Sequence, residues 1–262
     1  MSLRLFEWED FHWFPGTLRV LVTDVLRFLV SRLRLYRPAV AVLVACLKAA
    51  SAPRIIDLGS GSGGPLPDLA PELSRHLGRP VDILLTDRFP PPRWPEDSPC
   101  RYWLRPLEAT AVPPDWPGVR TLFNAFHHFP PEQAGRILQQ AVLAGEPIAV
   151  FELVNRHPLT VALICLLPLV VWLVTPFIRP FSWQRLVWTY LLPVVPLVVW
   201  WDGLVSCFRV YSAEQLYRLA RSIQAPGYRW RWGQQRRLGL VQLQYFVGMP
   251  ESRKAGADPD LD

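Results

Sequence analysis

The sequence of 262 residues predicts an α/β fold, with a doubly wound, seven-stranded, mostly parallel sheet and helices on both faces. Three observations support this prediction. Short apolar segments typical of strands alternate with segments of helical periodicity. A glycine-rich turn follows the first strand segment directly. A long stretch without Asp, Glu, Lys or Arg then interrupts the alternation after the fifth strand segment, where we expect a hydrophobic helical hairpin.

Two helices are expected ahead of the first strand, and together they form an N-terminal helical cap. The first covers about 16–35 and places Arg19, Arg27 and Arg34 on one face. A basic amphipathic helix of this kind either lies on anionic lipid or packs on the domain with its arginines in water. The sequence leaves both interpretations open. The second helix covers about 38–50.

Strands and helices then follow at the spacing expected of a parallel sheet. The strand segments are 54–58, 81–85, 102–104, 119–123 and 148–153, with a closing antiparallel pair at 228–236 and 240–248. The helical segments of the core are about 66–77, 131–144 and 212–222.

The composition narrows the class of function. Half of the residues are hydrophobic, 12 are Trp, and the formal charge is +6. This profile points to a membrane surface or a very hydrophobic ligand, although the charge alone does not choose between nucleic acid, anionic lipid and an acidic substrate. The N-terminus lacks the uninterrupted apolar centre of a signal peptide, so we expect a cytoplasmic protein. The cysteines are far apart in the sequence, which argues against a disulfide scaffold and a structural zinc site: Cys46, Cys100, Cys165 and Cys207.

The most specific signal is the segment DLGSGSGG, from Asp57 to Gly64, between a strand and a helix. Its glycines let the backbone turn tightly and approach a ligand, and the helix after it offers free N–H groups. The spacing of Gly59, Gly61 and Gly64 also fits the G-x-G-x-x-G pattern of nicotinamide dinucleotide sites. Asp57, however, favours a ligand with an ammonium group near the turn and would repel a pyrophosphate.

With this acid, the segment resembles the first motif of the class I S-adenosylmethionine-dependent methyltransferases, acid-x-Gly-x-Gly-x-Gly. The resemblance covers roughly 54–153 and 212–250, and it implies a Rossmann-like core with S-adenosyl-L-methionine as cofactor. Later strand ends continue the match. Asp87 corresponds to the acid that holds the ribose hydroxyls of the cofactor. Asn124 lies where residues of this superfamily line the methionine part of the cofactor. Glu108-Ala109 corresponds to the pair beside the adenine, where Asp is commoner than Glu. The implied cofactor-binding residues are Asp57, Gly59, Ser60, Gly61, Gly63, Asp87, Glu108, Ala109 and Asn124.

The candidate catalytic residues are His128 and His127, which follow the fourth strand. In the superfamily that strand opens onto the cofactor, and neutral imidazole can accept a proton at cytoplasmic pH. We prefer His128 slightly. The alternative is a histidine that only shapes the cofactor pocket. No metal site is expected, because adjacent residues in an extended loop point in opposite directions.

The uncharged stretch 158–178 is long enough to span a bilayer as a helix, whereas 186–201 is shorter and contains two prolines. Two full spans would place Arg179 and Arg185 on the far side, against the positive-inside tendency. We therefore expect a hairpin that dips into one leaflet or lies at its interface. An internal cap and a dimer interface are the alternatives.

Two pairs of charged residues flank the uncharged stretches. Asp202 needs a partner where the second stretch ends, and Arg209 is one candidate. Glu152 and Arg156 follow the fifth strand, and we expect them to pair with each other or to contact the acceptor.

The chain thus divides into a helical cap (1–50), the cofactor-binding core (51–156), a membrane-interacting hairpin (157–206), the completion of the core (207–250) and a disordered tail (251–262). The expected function is methyl transfer from S-adenosylmethionine to a hydrophobic small molecule, such as a lipid, isoprenoid or quinone, at the cytoplasmic face of the membrane. The alternatives are a nicotinamide-dependent reductase and a catalytically silent membrane scaffold. No nucleic-acid partner is expected, because the Asn/Asp-Pro-Pro-aromatic signature of amino-methylating DNA enzymes is absent.

Overall fold

The computed structural model describes residues 5–223 and 225–251, so the expected tail lies outside the described residues from position 252 onward. Its strands are β1 (Arg54–Leu58), β2 (Asp82–Thr86), β3 (Arg101–Tyr102), β4 (Val119–Phe123), β5 (Ile148–Glu152), β6 (Tyr228–Arg237) and β7 (Val241–Pro250). They form one seven-stranded sheet in the order β3-β2-β1-β4-β5-β7-β6. The first five strands pair in parallel, and β7 is antiparallel to both of its neighbours. The predicted sheet is confirmed.

Helices cover both faces of the sheet and its carboxyl edge. They are α1 (Gly16–Leu33), α2 (Ala39–Ala49), α3 (Leu66–Leu77), α4 (Pro131–Ala144), α5 (Pro158–Val174), α6 (Trp183–Leu186), α7 (Val194–Arg209) and α8 (Ala213–Ser222). The neighbouring residues Ile55 and Ile56 of β1 belong to different apolar clusters, one with α2 and α3 and one with α4 and α8. Because successive side chains of a strand point to opposite faces, each cluster lies on its own side of the sheet.

The cap helix α1 packs against the hairpin. Its apolar residues, including Leu21 and Val25, share a cluster with residues of α5 and α7. Arg19 is partly buried and stacks 4.1 Å from the ring centre of Phe89, in the loop after β2, so this guanidinium packs on the domain. Of the two interpretations of the basic helix, packing on the domain describes α1. The difference from that interpretation is that Arg19 contacts an aromatic ring.

The hydrophobic hairpin has one long arm and one bent arm. Residues Pro158–Phe177 form a helical segment that is long and apolar enough to cross a membrane by length and composition. The second arm is broken, because Trp183–Leu191 and Val194–Arg209 meet at an angle of 75°. The break falls at Pro193, which supplies no backbone N–H and cannot continue the ladder. The second arm is therefore not a straight helix.

Gly118, just before β4, is a site where only glycine fits. Its φ is +123°, and a Cβ there would lie 2.6 Å from the carbonyl oxygen of Arg54 in β1. We expect Gly118→Ala to lower the free energy of unfolding by about 2 kcal/mol or more, since strain and a backbone clash add. Gly145→Ala is the matched control, because its φ of +65° is also positive but nothing lies within 4 Å of the added carbon. That variant is expected to lose about 1 kcal/mol. Equal losses in chemical unfolding would contradict the close approach of β4 to β1.

Candidate functional site

The turn between β1 and α3 is built on the buried carboxyl group of Asp57. Ser60 Oγ donates to one carboxyl oxygen at 2.6 Å, and Thr121 Oγ1 donates to the other, also at 2.6 Å. Burial raises the pKa of Asp57 to about 7, against the effect of these two hydrogen bonds. Because both carboxyl oxygens of Asp57 point into the protein, their hydrogen bonds hold the turn in place from its buried side.

The backbone of the turn requires its glycines. Gly59, Gly61, Gly63 and Gly64 all have positive φ, at +73°, +50°, +97° and +52°. A Cβ on Gly63 would also lie 2.3 Å from the ring of Trp94. These residues leave the exposed backbone of the turn free of side chains, which is the form of a nucleotide cradle.

Asp87 belongs to the same cradle. Its carboxylate accepts the backbone N–H of Gly61 at 2.8 Å and that of Phe89 at 2.7 Å. The hydroxyl of Tyr102 donates to the carbonyl oxygen of Gly61 at 2.9 Å. The end of β2 is thereby joined to the glycine turn, and the ribose-binding role of Asp87 stays a prediction.

The remaining predicted cofactor residues have different surroundings. Glu108 forms an ion pair with Arg88 at 2.8 Å, with both side chains about half exposed, and Ala109 is buried in the apolar cluster next to it. Asn124 has a φ of +53°, and its side-chain oxygen accepts the N–H of Leu153 at 3.1 Å. Asn124 therefore joins the ends of β4 and β5.

His127 and His128 lie in a 3-10 turn, Phe126–His128, directly after β4. The expectation that their rings point in opposite directions is wrong, because the backbone is helical here and not extended. The ring centres are 4.4 Å apart and the planes differ by 31°. Both imidazole rings therefore lie together at the carboxyl end of β4.

The two histidines differ in their partners. Nδ1 of His127 lies 2.8 Å from Oε2 of Glu152, at the end of β5, and its Nε2 has no hydrogen-bond partner among the described residues. Nδ1 of His128 lies 2.8 Å from Asp10. Although burial opposes it, the charges of Glu7 and Asp10 raise the pKa of His128 to about 9. At neutral pH His128 keeps its proton, so the geometry favours His127 as the basic group, the reverse of the sequence-based preference.

An N-terminal segment that the sequence did not connect with the site completes it. Glu7 is fully buried and lies 3.1 Å from Nη1 of Arg209, which also contacts Asp10 at 2.5 Å. Asp202 accepts the backbone N–H of Trp8 at 2.9 Å. The alternation of acids and aromatics near the N-terminus was the available signal, but nothing in it indicates a contact with α7.

Two suggested ion pairs are therefore wrong. Arg209 pairs with Glu7 and Asp10, and not with Asp202, because the carboxylate of Asp202 instead accepts the backbone N–H of Trp8 in the N-terminal segment. Glu152 is taken by His127, while Arg156 donates to the carbonyl oxygen of Phe208 at 3.0 Å.

Asp57 predicts a pH dependence of stability. Its pKa in the folded chain, about 7, exceeds its ordinary value of 3.8, so its contribution to stability is present at low pH and is lost as the pH rises through 7. Asparagine stays uncharged. We expect the stability of Asp57→Asn relative to wild type to increase between pH 5 and 8 by about 2 kcal/mol, measured by urea unfolding without ligand. A constant difference across this range would contradict a buried, protonated Asp57.

Comparison with known proteins gives matches only among solved structures. No family model and no curated protein matches the chain. Human N-acetylserotonin methyltransferase in complex with S-adenosylmethionine is 14% identical over 88% of this chain and 57% of its own, with a TM-score of 0.46. An O-methyltransferase from neocarzinostatin biosynthesis is 15% identical over 93% and 60%, with a TM-score of 0.47. A putative zinc-dependent alcohol dehydrogenase from Rhodobacter sphaeroides is 9% identical over 90% and 98%, with a TM-score of 0.48.

These similarities concern the fold. The chain spans 57% and 60% of the lengths of the two methyltransferases. The strand order itself is informative, because β7 is inserted antiparallel between β5 and β6, whereas the dinucleotide-binding order 3-2-1-4-5-6 has no such strand. The sheet and its glycine turn are those that the resemblance to the class I S-adenosylmethionine-dependent methyltransferases implies.

Proposed function

We propose that this chain is an S-adenosylmethionine-dependent methyltransferase that acts on a hydrophobic small molecule at a membrane surface. The observation that most directly supports the proposal is the path of helix α7 through the structure. Its N-terminal half belongs to the exposed hydrophobic hairpin, and its C-terminal half brings Asp202 and Arg209 to the histidines at the end of β4. A molecule held by the hairpin is thus led towards the site.

The residues of the turn fit the cofactor. The positive-φ glycines leave backbone exposed for close approach, and Asp87 offers a carboxylate to hydroxyl donors while it holds Gly61. When bound, S-adenosylmethionine supplies a methyl group activated on a sulfonium. The chain needs to orient the acceptor in line with it, and proximity provides much of the rate. The antiparallel β7 argues against the dinucleotide alternative.

On the acceptor side, the basic group is Nε2 of His127. Glu152 accepts a hydrogen bond from Nδ1–H, which fixes the tautomer and leaves the lone pair of Nε2 free. A hydroxyl acceptor must lose its proton as the methyl group is transferred, so a lone pair in this position activates it. The tautomer of His127 is assigned from its hydrogen-bond partner, Glu152.

The hairpin supports a membrane-surface location. Large apolar side chains along it are exposed, including Leu173 (72%), Trp183 (73%) and Leu191 (75%). The loop between the arms is tied to the cap, because Arg185 Nη2 lies 2.8 Å from Asp24 of α1. This contact and the bent second arm favour a hairpin that enters one leaflet from the cytoplasmic face over two complete spans.

The proposal is tested by incubating the protein with labelled S-adenosylmethionine and a lipid extract of the host membrane. Mass spectrometry is expected to show a methylated apolar species. Thermal stabilisation by S-adenosylhomocysteine, but not by NADH or NADPH, is expected alongside. Stabilisation by a nicotinamide cofactor alone would favour the reductase, and a protein that binds neither would favour the silent scaffold.

Asp87 provides a test of the cofactor site. We expect Asp87→Ala to weaken binding of S-adenosylhomocysteine at least tenfold in isothermal titration, because a charged acceptor and a support of the turn are lost together. Asp82→Asn is the matched control, since Asp82 lies at the opposite end of β2 and pairs with Arg54 and Arg101. Unchanged affinity in a folded Asp87→Ala protein would contradict the cofactor assignment.

The hairpin provides a test of the membrane location. We expect the triple variant Leu173→Ser, Trp183→Ser and Leu191→Ser to bind vesicles containing anionic lipid at least tenfold more weakly, because about 1.5–3 kcal/mol is lost per large apolar side chain that no longer enters lipid. Leu143→Ser is the control, as Leu143 is 78% exposed but belongs to α4 and not to the hairpin. Equal vesicle binding by all three proteins would rule out the hairpin as the membrane contact.

A further inference from the structure

His127 has a buried nitrogen that the hydrogen bonds of the fold leave unused. The side chain is 1% exposed, its Nδ1 is held by Glu152, and its Nε2 has no hydrogen-bond partner among the described residues. A buried polar atom without a partner costs free energy, so such an atom indicates a ligand that completes it.

Glu7 and His128 each place a possible metal-ligand atom near this nitrogen. Oε1 of Glu7 lies 3.9 Å from Nε2 of His127, and Oε2 of Glu7 lies 3.4 Å from Nδ1 of His128. The ligand atoms of the three residues all lie within 4.8 Å of one another. Zinc ligands at about 2.0–2.2 Å place neighbouring donors of a tetrahedral site about 3.4 Å apart. Glu7 and His128 already have this spacing, and Nε2 of His127 has to move closer to them for all three donors to bind one ion.

We propose that Glu7, His127 and His128 bind one divalent transition metal ion, with Zn²⁺ the best match. Two imidazoles and one carboxylate with an open fourth position are a donor set of catalytic zinc sites. Glu152 stands behind His127 as the carboxylate that commonly orients a metal-binding imidazole through its other nitrogen.

The surrounding charges accommodate the ion. The carboxyl groups of Glu7, Asp10 and Glu152 face the histidines, whereas Arg209 is the guanidinium that contacts this group. Hydrogen bonds within the network account for the ring nitrogen of His128 and the carboxylate of Glu7, but they leave Nε2 of His127 without a hydrogen-bond partner among the described residues. On binding, His128 releases its Nδ1 proton to solvent and exchanges its hydrogen bond with Asp10 for the ion, and Asp10 keeps its contact with Arg209.

Metal binding stands apart from the proposed methyl transfer, but its use rests on that function. With the ion bound, the lone pair of His127 Nε2 is a metal ligand, and the ion replaces it as the group that activates a hydroxyl acceptor. The open fourth position lies at the end of β4, on the acceptor side of the site. A hydroxyl acceptor that enters this position has its pKa lowered by the ion and loses its proton more readily when the methyl group is transferred.

The test uses the full chain without an affinity tag, freed of metal by a chelator. Isothermal titration with Zn²⁺ is expected to give one ion per chain. Affinity should fall at least tenfold in Glu7→Gln and in His127→Gln, and His12→Gln, which changes an exposed histidine of the same N-terminal segment, should match wild type. Absence of stoichiometric binding by wild type, or unchanged affinity in both ligand variants, overturns the proposal.

Loading the wild-type protein with Co²⁺ gives a spectroscopic test that does not depend on whether the variants fold. Wild-type protein loaded with Co²⁺ is expected to show the intense visible absorption of a tetrahedral site, displaced by Zn²⁺, and its absence overturns the metal site. Binding of S-adenosylhomocysteine is measured in parallel. Cofactor binding and methyl transfer without metal overturn the metal site alone, whereas one Zn²⁺ per chain without cofactor binding overturns the proposed function alone.

Discussion

The hydrogen bonds that Ser60 and Thr121 donate to the buried carboxyl group of Asp57 hold together the carboxyl edge of the sheet. They join β1, its glycine turn and β4. Thr86, at the end of β2, adds a hydrogen bond to the Asp57 carbonyl at 2.7 Å. Asp87 and the histidine turn are attached to these same strand ends, so the relative position of cofactor and acceptor groups depends on this one buried acid.

A second group of polar contacts links this edge to the rest of the chain. Glu7, Asp10 and Arg209 are buried or half-buried between the N-terminal segment, α7 and the turn after β4. Charges removed from water must be paired, and removing one partner of such a pair is costly. The hairpin is thereby connected to the carboxyl edge of the sheet, and in the proposed function one helix serves both acceptor capture and acceptor chemistry.

The parts of the structure that depend on local sequence could be predicted well. The bounds of β4, α3 and α4 agree with the prediction to the residue, because glycine and proline mark where these elements begin and end. That Asp57, the glycines and Asp87 lie together could be predicted because a parallel sheet brings consecutive strand ends to one edge, whereas their binding of the cofactor stays a prediction. β3 has only two residues, Arg101–Tyr102, because the proline-rich loop before it leaves little chain to pair.

The contacts that complete the site could not be predicted in this way. Glu7 and Arg209 are 202 positions apart, and no spacing rule connects an N-terminal acid with the end of a hydrophobic helix. The helical backbone of 126–128 was also hidden, because three aromatic residues in a row are compatible with an extended loop. Tertiary packing decides both features.

The distance in sequence between Glu7 and Arg209 also sets an order of events during synthesis. Glu7 leaves the ribosome well before Arg209 of α7, which follows only after the strands β1–β5 and the hydrophobic hairpin have been made. Domains generally assemble as units while the chain emerges, and pairings across long stretches come late because closing a large loop costs entropy. The nascent sheet can therefore collapse first, and the N-terminal acids dock when the hairpin arrives.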